Sequence, residues 1–165
     1  MIKKIFTAIL FVSFLSANNH TYLLDEYKKE TELEAKIVLK IARDILKTSP
    51  VHLYIPNMKD LDNKVYSSKV KVVRSCEKAN FIFVKYSKSF QCQKNKKLFV
   101  LTNNYKQLLS NSSFIGAFFW SKSRPNIVLV KNRLTKKAIA LPKEYERYIE
   151  DLQWNLKGFY LIDSF

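Results

Sequence analysis

The stretch FIFVKYSKSFQCQKNKKLFVL, residues 81–101, decides the fold class because it contains two apolar runs separated by a basic segment. The runs at residues 81–84 and 98–101 are apolar at every position. A strand without polar alternation is covered on both faces, as in a sheet that lies between two layers of helices. We therefore expect two fully buried strands here.

Four other segments have the apolar or alternating composition of strands. They are residues 51–55, 70–73, 114–120 and 127–130, with a polar hairpin loop at 121–126. Helical patterns lie between them, at residues 22–47, around 105–109 with Thr102 or Asn103 as cap, at 132–138, and from Pro142 to about residue 154. Helices interleaved with buried strands predict a three-layer α/β domain with one mixed, largely buried sheet and helices on both faces.

The N-terminus has the three-part layout of a secretory signal peptide. A short basic stretch precedes an apolar run at residues 5–15, and Ser16-Ala17 supplies small residues before a polar segment. A membrane-spanning helix needs about 20 apolar residues, so this run is too short for one. We expect cleavage after residue 17, export to the periplasm and a single domain over residues 18–165. An uncleaved interfacial helix and a buried strand are the alternatives.

Cys76 and Cys92 are the two cysteines of the chain. In an oxidising compartment, an even pair of cysteines favours a structural disulfide. Two free buried thiols and a redox-sensing pair are the alternatives.

The composition excludes several classes of site. Two glycines among 165 residues exclude a phosphate-binding glycine-rich loop, and two histidines with two cysteines leave too few ligands for an ordinary zinc centre. Asp60, Asp62 and Asn63 lack the glycine and the bidentate glutamate of a calcium loop, so a polar turn is expected there. His52 is read as a strand residue on the surface. No catalytic residue, cofactor or metal is expected, and the chain is not predicted to be an enzyme.

The charge of the chain is uneven. Lysine and arginine number 29 against 14 acids, a net charge of +15, and residues 78–143 contain 14 basic residues and no acid. The electrostatic field of such a basic, acid-free segment attracts anionic partners. Lysine-rich and asparagine-rich composition from AT-rich codons is the competing explanation.

The predicted hairpin carries the best candidates for a contact. Trp120, Lys122 and Arg124 combine an aromatic ring with cations, as hot spots of protein interfaces do, and such rings also stack on single-stranded bases. The other interpretation is that Trp120 belongs to the core and only the tip is exposed. The basic segment at 133–140 adds Arg133, Lys136 and Lys137 to the predicted partner-binding residues.

The order of features from Cys76 onward resembles the YfiR-like family of periplasmic regulators. Cys76 precedes the buried strand at 81–84, the strand at 98–102 leads to a short helix and an apolar hairpin, and the strand at 127–132 runs into the basic helix at 133–140. The resemblance covers mainly residues 76–153.

The resemblance implies a non-enzymatic regulator that binds the periplasmic part of a membrane diguanylate cyclase, often as a homodimer, and keeps it inactive. The competing function is a basic periplasmic module that binds an anionic polymer, either DNA during uptake or lipopolysaccharide.

Overall fold

A mixed sheet of seven strands organises the part of the chain that the computed structural model describes, which is residues 17–87, 90–92 and 98–152, with side chains from Tyr27 onward. The strands are β1 (His52–Tyr54), β2 (Lys71–Val72), β3 (Phe81–Val84), β4 (Phe99–Thr102), β5 (Gly116–Ser121), β6 (Arg124–Val130) and β7 (Ile149–Glu150). Their order is β2-β1-β3-β4-β5-β6-β7. Neighbours from β2 to β5 pair in parallel, β6 runs antiparallel to β5, and β7 runs parallel to β6.

The two apolar runs on which the fold prediction rests form β3 and β4. These strands pair in parallel, with Phe81 opposite Phe99 and Ile82 opposite Val100. All four residues of each strand are buried. The prediction of two doubly covered strands is therefore confirmed.

Helices cover both faces of the sheet. They are α1 (Ala17–Leu46), α2 (Asp60–Ser67), α3 (Tyr105–Ser110) and α4 (Lys131–Lys136), with 3-10 helices at Cys76–Lys78 and Lys143–Tyr148. Val38 of α1 belongs to the core on the face of Phe81 and Phe83. Leu108 of α3 belongs to the core on the opposite face, with Ile82. The three-layer α/β architecture with a mixed sheet is confirmed.

The hairpin between β5 and β6 is tighter than the loop predicted at 121–126. Ser121 and Arg124 still pair, so only Lys122 and Ser123 form the turn. Their φ angles are 49° and 58°. Positive φ at both central residues is the type I′ geometry, which matches the twist of antiparallel strands.

The predicted cap of α3, Thr102 or Asn103, is wrong. Asn104 caps α3, because its side chain accepts hydrogen bonds from the amides of Lys106 and Gln107. Thr102 instead donates its hydroxyl to Gln107 Oε1 and accepts from the amide of Asn104.

The helix expected from Pro142 to about residue 154 is also wrong. A 3-10 helix occupies Lys143–Tyr148, and β7 follows at Ile149–Glu150. Ile149 pairs with Leu129 of β6, so pairing with the edge of β6 overrides the helical propensity of the segment at Ile149–Glu150. Residues 153 and 154 lie outside the described residues.

The predicted signal peptide, residues 1–17, lies outside the described residues except for Ala17, where α1 begins. Among the helices of the described residues, none combines the length and the apolar character that crossing a membrane requires.

Cys76 and Cys92 form a disulfide across 16 positions of sequence. The bridged segment contains β3, and Cys76 is buried at the edge of the core that includes Ile82. Cys76 precedes β3 and Cys92 follows it, so the bridge connects the two segments that flank this strand. The predicted pairing of the two cysteines is confirmed.

We expect Cys76→Ser to lower the free energy of unfolding by about 3 kcal/mol, because the lost cross-link frees a short loop in the unfolded chain. Urea denaturation measures the change, and the double variant C76S/C92S controls for reactions of a lone thiol. If the wild-type protein unfolds at the same urea concentration with and without reductant, the bridge has no structural role.

Candidate functional site

The carboxyl ends of the parallel strands bring together residues that lie far apart in sequence. In parallel α/β sheets, ligands bind at this edge, near the point where the strand order reverses. Here β1 lies between β2 and β3, so the reversal falls between β1 and β3. Lys85 directly follows β3, Asn103 follows β4, and Trp120 lies near the end of β5.

A buried ion cluster occupies this edge. Lys85 Nζ lies 2.7 Å from Oε1 of Glu34 and 2.8 Å from Oδ1 of Asp62. The side chains of the lysine, the glutamate and the aspartate are only 9%, 4% and 1% exposed. Glu34 belongs to α1 and Asp62 to α2, so one ammonium group connects two helices to the end of β3.

Two phenol groups complete the cluster. Tyr66 Oη donates a hydrogen bond to Glu34 Oε1 at 3.1 Å, and Tyr86 Oη donates one to Asp62 Oδ2. Buried carboxylates need such donors because water does not reach them. The cluster therefore combines two carboxyl groups, one ammonium and two hydroxyls, and has one negative charge when both carboxyl groups are ionised.

The pKa values show which protons the cluster holds. Burial raises the pKa of the Glu34 carboxyl, and the nearby Lys85 offsets only part of the rise. Burial acts to lower the pKa of Lys85, but the attraction of Glu34 and Asp62 outweighs it, and that pKa is raised. The lysine is thus protonated at neutral pH and is not available as a nucleophile or a general base.

A crevice of about 280 Å³ opens beside the ion cluster. Glu34 and Lys85 line it from the cluster side. Its other lining residues come from the middle of α1 and the ends of β4 and β5: Tyr27, Glu30, Thr31, Asn103, Phe119 and Trp120. The crevice thus combines an aromatic wall with carboxylates.

The hairpin tip lies at the same edge of the sheet as the crevice. Lys122 and Arg124 are exposed, and Trp120 is partly buried, with its ring edge-on to Phe118 at 5.9 Å between centroids. Trp120 lines the crevice and stands two residues from Lys122. It is therefore both a packed residue and a neighbour of the exposed tip.

The other three predicted partner-binding residues lie on or next to α4. Arg133 Nη1 donates to three backbone carbonyls at 2.8, 3.0 and 2.8 Å, those of Leu108, Asn111 and Phe114. Lys137 Nζ donates to the carbonyl of Leu98 at 2.9 Å. Lys136 is exposed. Arg133 and Lys137 therefore hold backbone segments together.

The sheet separates these two groups of predicted residues. Arg124 begins β6 and Val130 ends it, with α4 directly after. Seven residues at about 3.3 Å each place the hairpin tip and α4 roughly 20 Å apart, at opposite edges of the sheet. The structure brings Trp120, Lys122 and Arg124 together and leaves Arg133, Lys136 and Lys137 elsewhere.

The sequence analysis missed the ion cluster, and its prediction of a polar turn at Asp60, Asp62 and Asn63 is wrong. These residues lie in α2, and Asp62 is buried. One signal was present: Glu34 lies four residues before Val38, on the buried stripe of α1. A charged residue in that position needs a partner.

The described residues contain one group of side chains with the spacing of metal ligands, namely Cys76, Glu77 and Cys92. Its two sulfur atoms form the disulfide, so they are not thiolate ligands.

Comparison with known proteins gives a likeness of fold. No family model matches the chain, and no curated protein matches its sequence. A crystal structure of a conserved domain protein from Vibrio cholerae O1 biovar El Tor is similar, with a TM-score of 0.50 and 11% sequence identity. The match covers 73% of this chain and 59% of that chain.

We expect Lys85→Met to lower the free energy of unfolding by about 3–5 kcal/mol near neutral pH, because two buried carboxylates lose their cation. The pKa of Glu34 is raised above its ordinary value of 4.5 in the folded protein. A group of this kind stabilises the native state at pH values below its ordinary pKa, where it is protonated. That stabilisation is lost as the pH rises. The deficit of the variant should therefore be smaller at about pH 4 than at about pH 7.

The matched control is Lys40→Met. Lys40 Nζ also bridges two carboxylates, Asp44 at 2.8 Å and Glu144 at 2.6 Å, but its side chain is 57% exposed. Little change is expected for that variant, because solvent screens the pair. If urea denaturation gives the same loss of unfolding free energy for both variants, burial does not strengthen the contribution of the Lys85 cluster to stability.

Proposed function

We propose that this protein is an exported, non-enzymatic regulator that binds the periplasmic part of a membrane diguanylate cyclase and keeps it inactive. The nature of the partner rests on the resemblance to the YfiR-like family. The contact surface rests on one observation, the exposed pair Lys122 and Arg124 at the tip of a well-paired hairpin.

The geometry of the tip supports a contact role. Lys122 and Ser123 both have positive φ, a conformation that costs a residue other than glycine about 1–2 kcal/mol. Strain of this kind occurs at functional sites, and the type I′ turn itself requires it here; Lys47, Asn57 and Ala138 also have positive φ. The tip thus holds a lysine where a glycine would relieve the strain.

The order of the hairpin also favours binding. Six residue pairs join β5 to β6, from Gly116 opposite Leu129 to Ser121 opposite Arg124. A surface that is already ordered loses less entropy when a partner binds. The proposed partner surface of Trp120, Lys122 and Arg124 is therefore preorganised for an acidic protein face.

The protonation of Lys85 removes one candidate for a catalytic base or nucleophile. Lys85 is protonated and held by two carboxylates, and Tyr66 and Tyr86 donate to those carboxylates. A catalytic base or nucleophile needs a pKa near the working pH and a free lone pair. Within the described residues, this cluster offers neither on its lysine.

The double variant K122E/R124E should weaken binding to the isolated periplasmic part of the cyclase by about tenfold or more, a change of about 1.4 kcal/mol. Two reversed charges then face an acidic surface of the partner. The matched control is K131E/K136E, which changes the same charge on exposed residues of α4 at the other edge. Isothermal titration calorimetry measures both. A larger loss in the control variant would place the contact on α4.

Salt dependence separates this proposal from binding to DNA or lipopolysaccharide. Binding through many phosphate contacts loses about three or more orders of magnitude in affinity between low and moderate salt, because counterions are released. A protein contact with two cations at its rim should lose far less. A steep salt slope with DNA or lipopolysaccharide, together with no binding to the cyclase, would replace the proposed function.

Deletion of the gene should raise the cellular level of cyclic di-GMP, because the cyclase loses its inhibitor. Mass spectrometry of nucleotide extracts measures the level, and expression of the wild-type chain should restore it while K122E/R124E should not. An unchanged level in the deletion strain contradicts the proposed function.

A further inference from the structure

The crevice beside the ion cluster is the described feature that the proposed partner contact does not use. We propose that it binds a small organic cation, such as an alkylammonium compound. The proposal concerns a ligand and does not rest on the identity of a protein partner.

The first argument is the charge of the crevice. Lys85 is the one cation among the lining residues that the structure describes, and Glu34 and Asp62 already neutralise it. The two carboxylates exceed the single ammonium by one charge, and Glu30 adds another carboxylate to the lining. In a chain with a net charge of +15, this lining is locally acidic. An anionic ligand would meet repulsion here, whereas a cation would be attracted.

The second argument is the unused oxygen of Glu34. Both donors that bond this carboxylate, Tyr66 Oη and Lys85 Nζ, contact Oε1. No described residue donates a hydrogen bond to Oε2, and this atom is not among the buried unpartnered side-chain oxygens of the described residues, where Asn132 Oδ1 stands alone. Solvent therefore reaches Oε2 at the crevice that Glu34 lines, and a ligand with positive charge can contact it there.

The third argument is the aromatic wall. Tyr27, Phe119 and Trp120 are the aromatic residues that line the crevice. Tyr27 also interacts with Tyr86 of the ion cluster, and at 42% it is the most exposed of the large apolar side chains that the structure describes. Aromatic faces next to carboxylates are the common means of binding ammonium groups, because the ring quadrupole attracts the cation.

The fourth argument is size. A volume of about 280 Å³ is at the lower end for ligand pockets and equals the space of roughly nine waters at about 30 Å³ each. The crevice is open to solvent, so this volume limits only the part of a ligand that enters it. A compound with one ammonium group and a few carbon atoms fits.

Calorimetric titration of the full chain with choline tests the proposal. We expect choline to bind with a Kd of about 1 mM or below, and its neutral isostere, in which carbon replaces the nitrogen, to bind at least about tenfold more weakly. Equal binding of the two compounds, or no binding of choline, overturns the proposal, because the positive charge would then contribute nothing.

Variants locate the binding. Glu34→Gln removes the central charge, and Glu30→Gln and Trp120→Leu test the lining without touching the ion cluster, so they remain informative if the first variant fails to fold. Each of the three is expected to weaken choline binding about fivefold or more. Glu144→Gln, an exposed carboxylate outside this crevice, is the control and should bind as the wild type does. Wild-type affinity in both E30Q and W120L contradicts the site.

Discussion

One ammonium group connects three segments that are remote in sequence. Lys85 Nζ bonds carboxylates that lie 51 and 23 positions away, on α1 and α2. A buried charge without a partner is strongly unfavourable, so the end of β3 reaches its final environment only when both helices are docked. The phenols of Tyr66 and Tyr86 supply the remaining donors. The apolar stripe of α1 packs it on the sheet, and this cluster adds a specific contact where α1 forms one wall of the crevice.

Local composition is enough to predict the central strands, and it is not enough to predict the site. The segments that form β3 and β4 are apolar at every position, and their short length and aromatic and β-branched residues favour buried strands over helices. The pairing of Ile149 with Leu129 is a long-range event, so β7 was mistaken for part of a helix. The same limit applies to Asp62, because a paired acid and a solvated acid look alike in a sequence. Only the position of Glu34 on an apolar helix stripe indicated a hidden partner.

At this edge of the sheet, two cations are exposed at the hairpin tip and two carboxylates are buried in the ion cluster. Exposed cations such as Lys122 and Arg124 lie at the hairpin tip, while Glu34 and Asp62 are withdrawn into the edge of the sheet. Trp120 lies between the two regions, since it lines the crevice and is followed two residues later by the turn. A ligand in the crevice and a protein at the tip would both contact this residue, which gives the two proposals a shared physical element.

The two-residue turn between β5 and β6 also bears on how the chain folds. The parallel pairs from β2 to β5 join segments with long connections, and such contacts form slowly because each closes a large loop. A hairpin closes within about 1–10 μs. We therefore expect β5 and β6 to pair first and to offer β4 a preformed edge. An exposed turn of the finished sheet would then start its assembly.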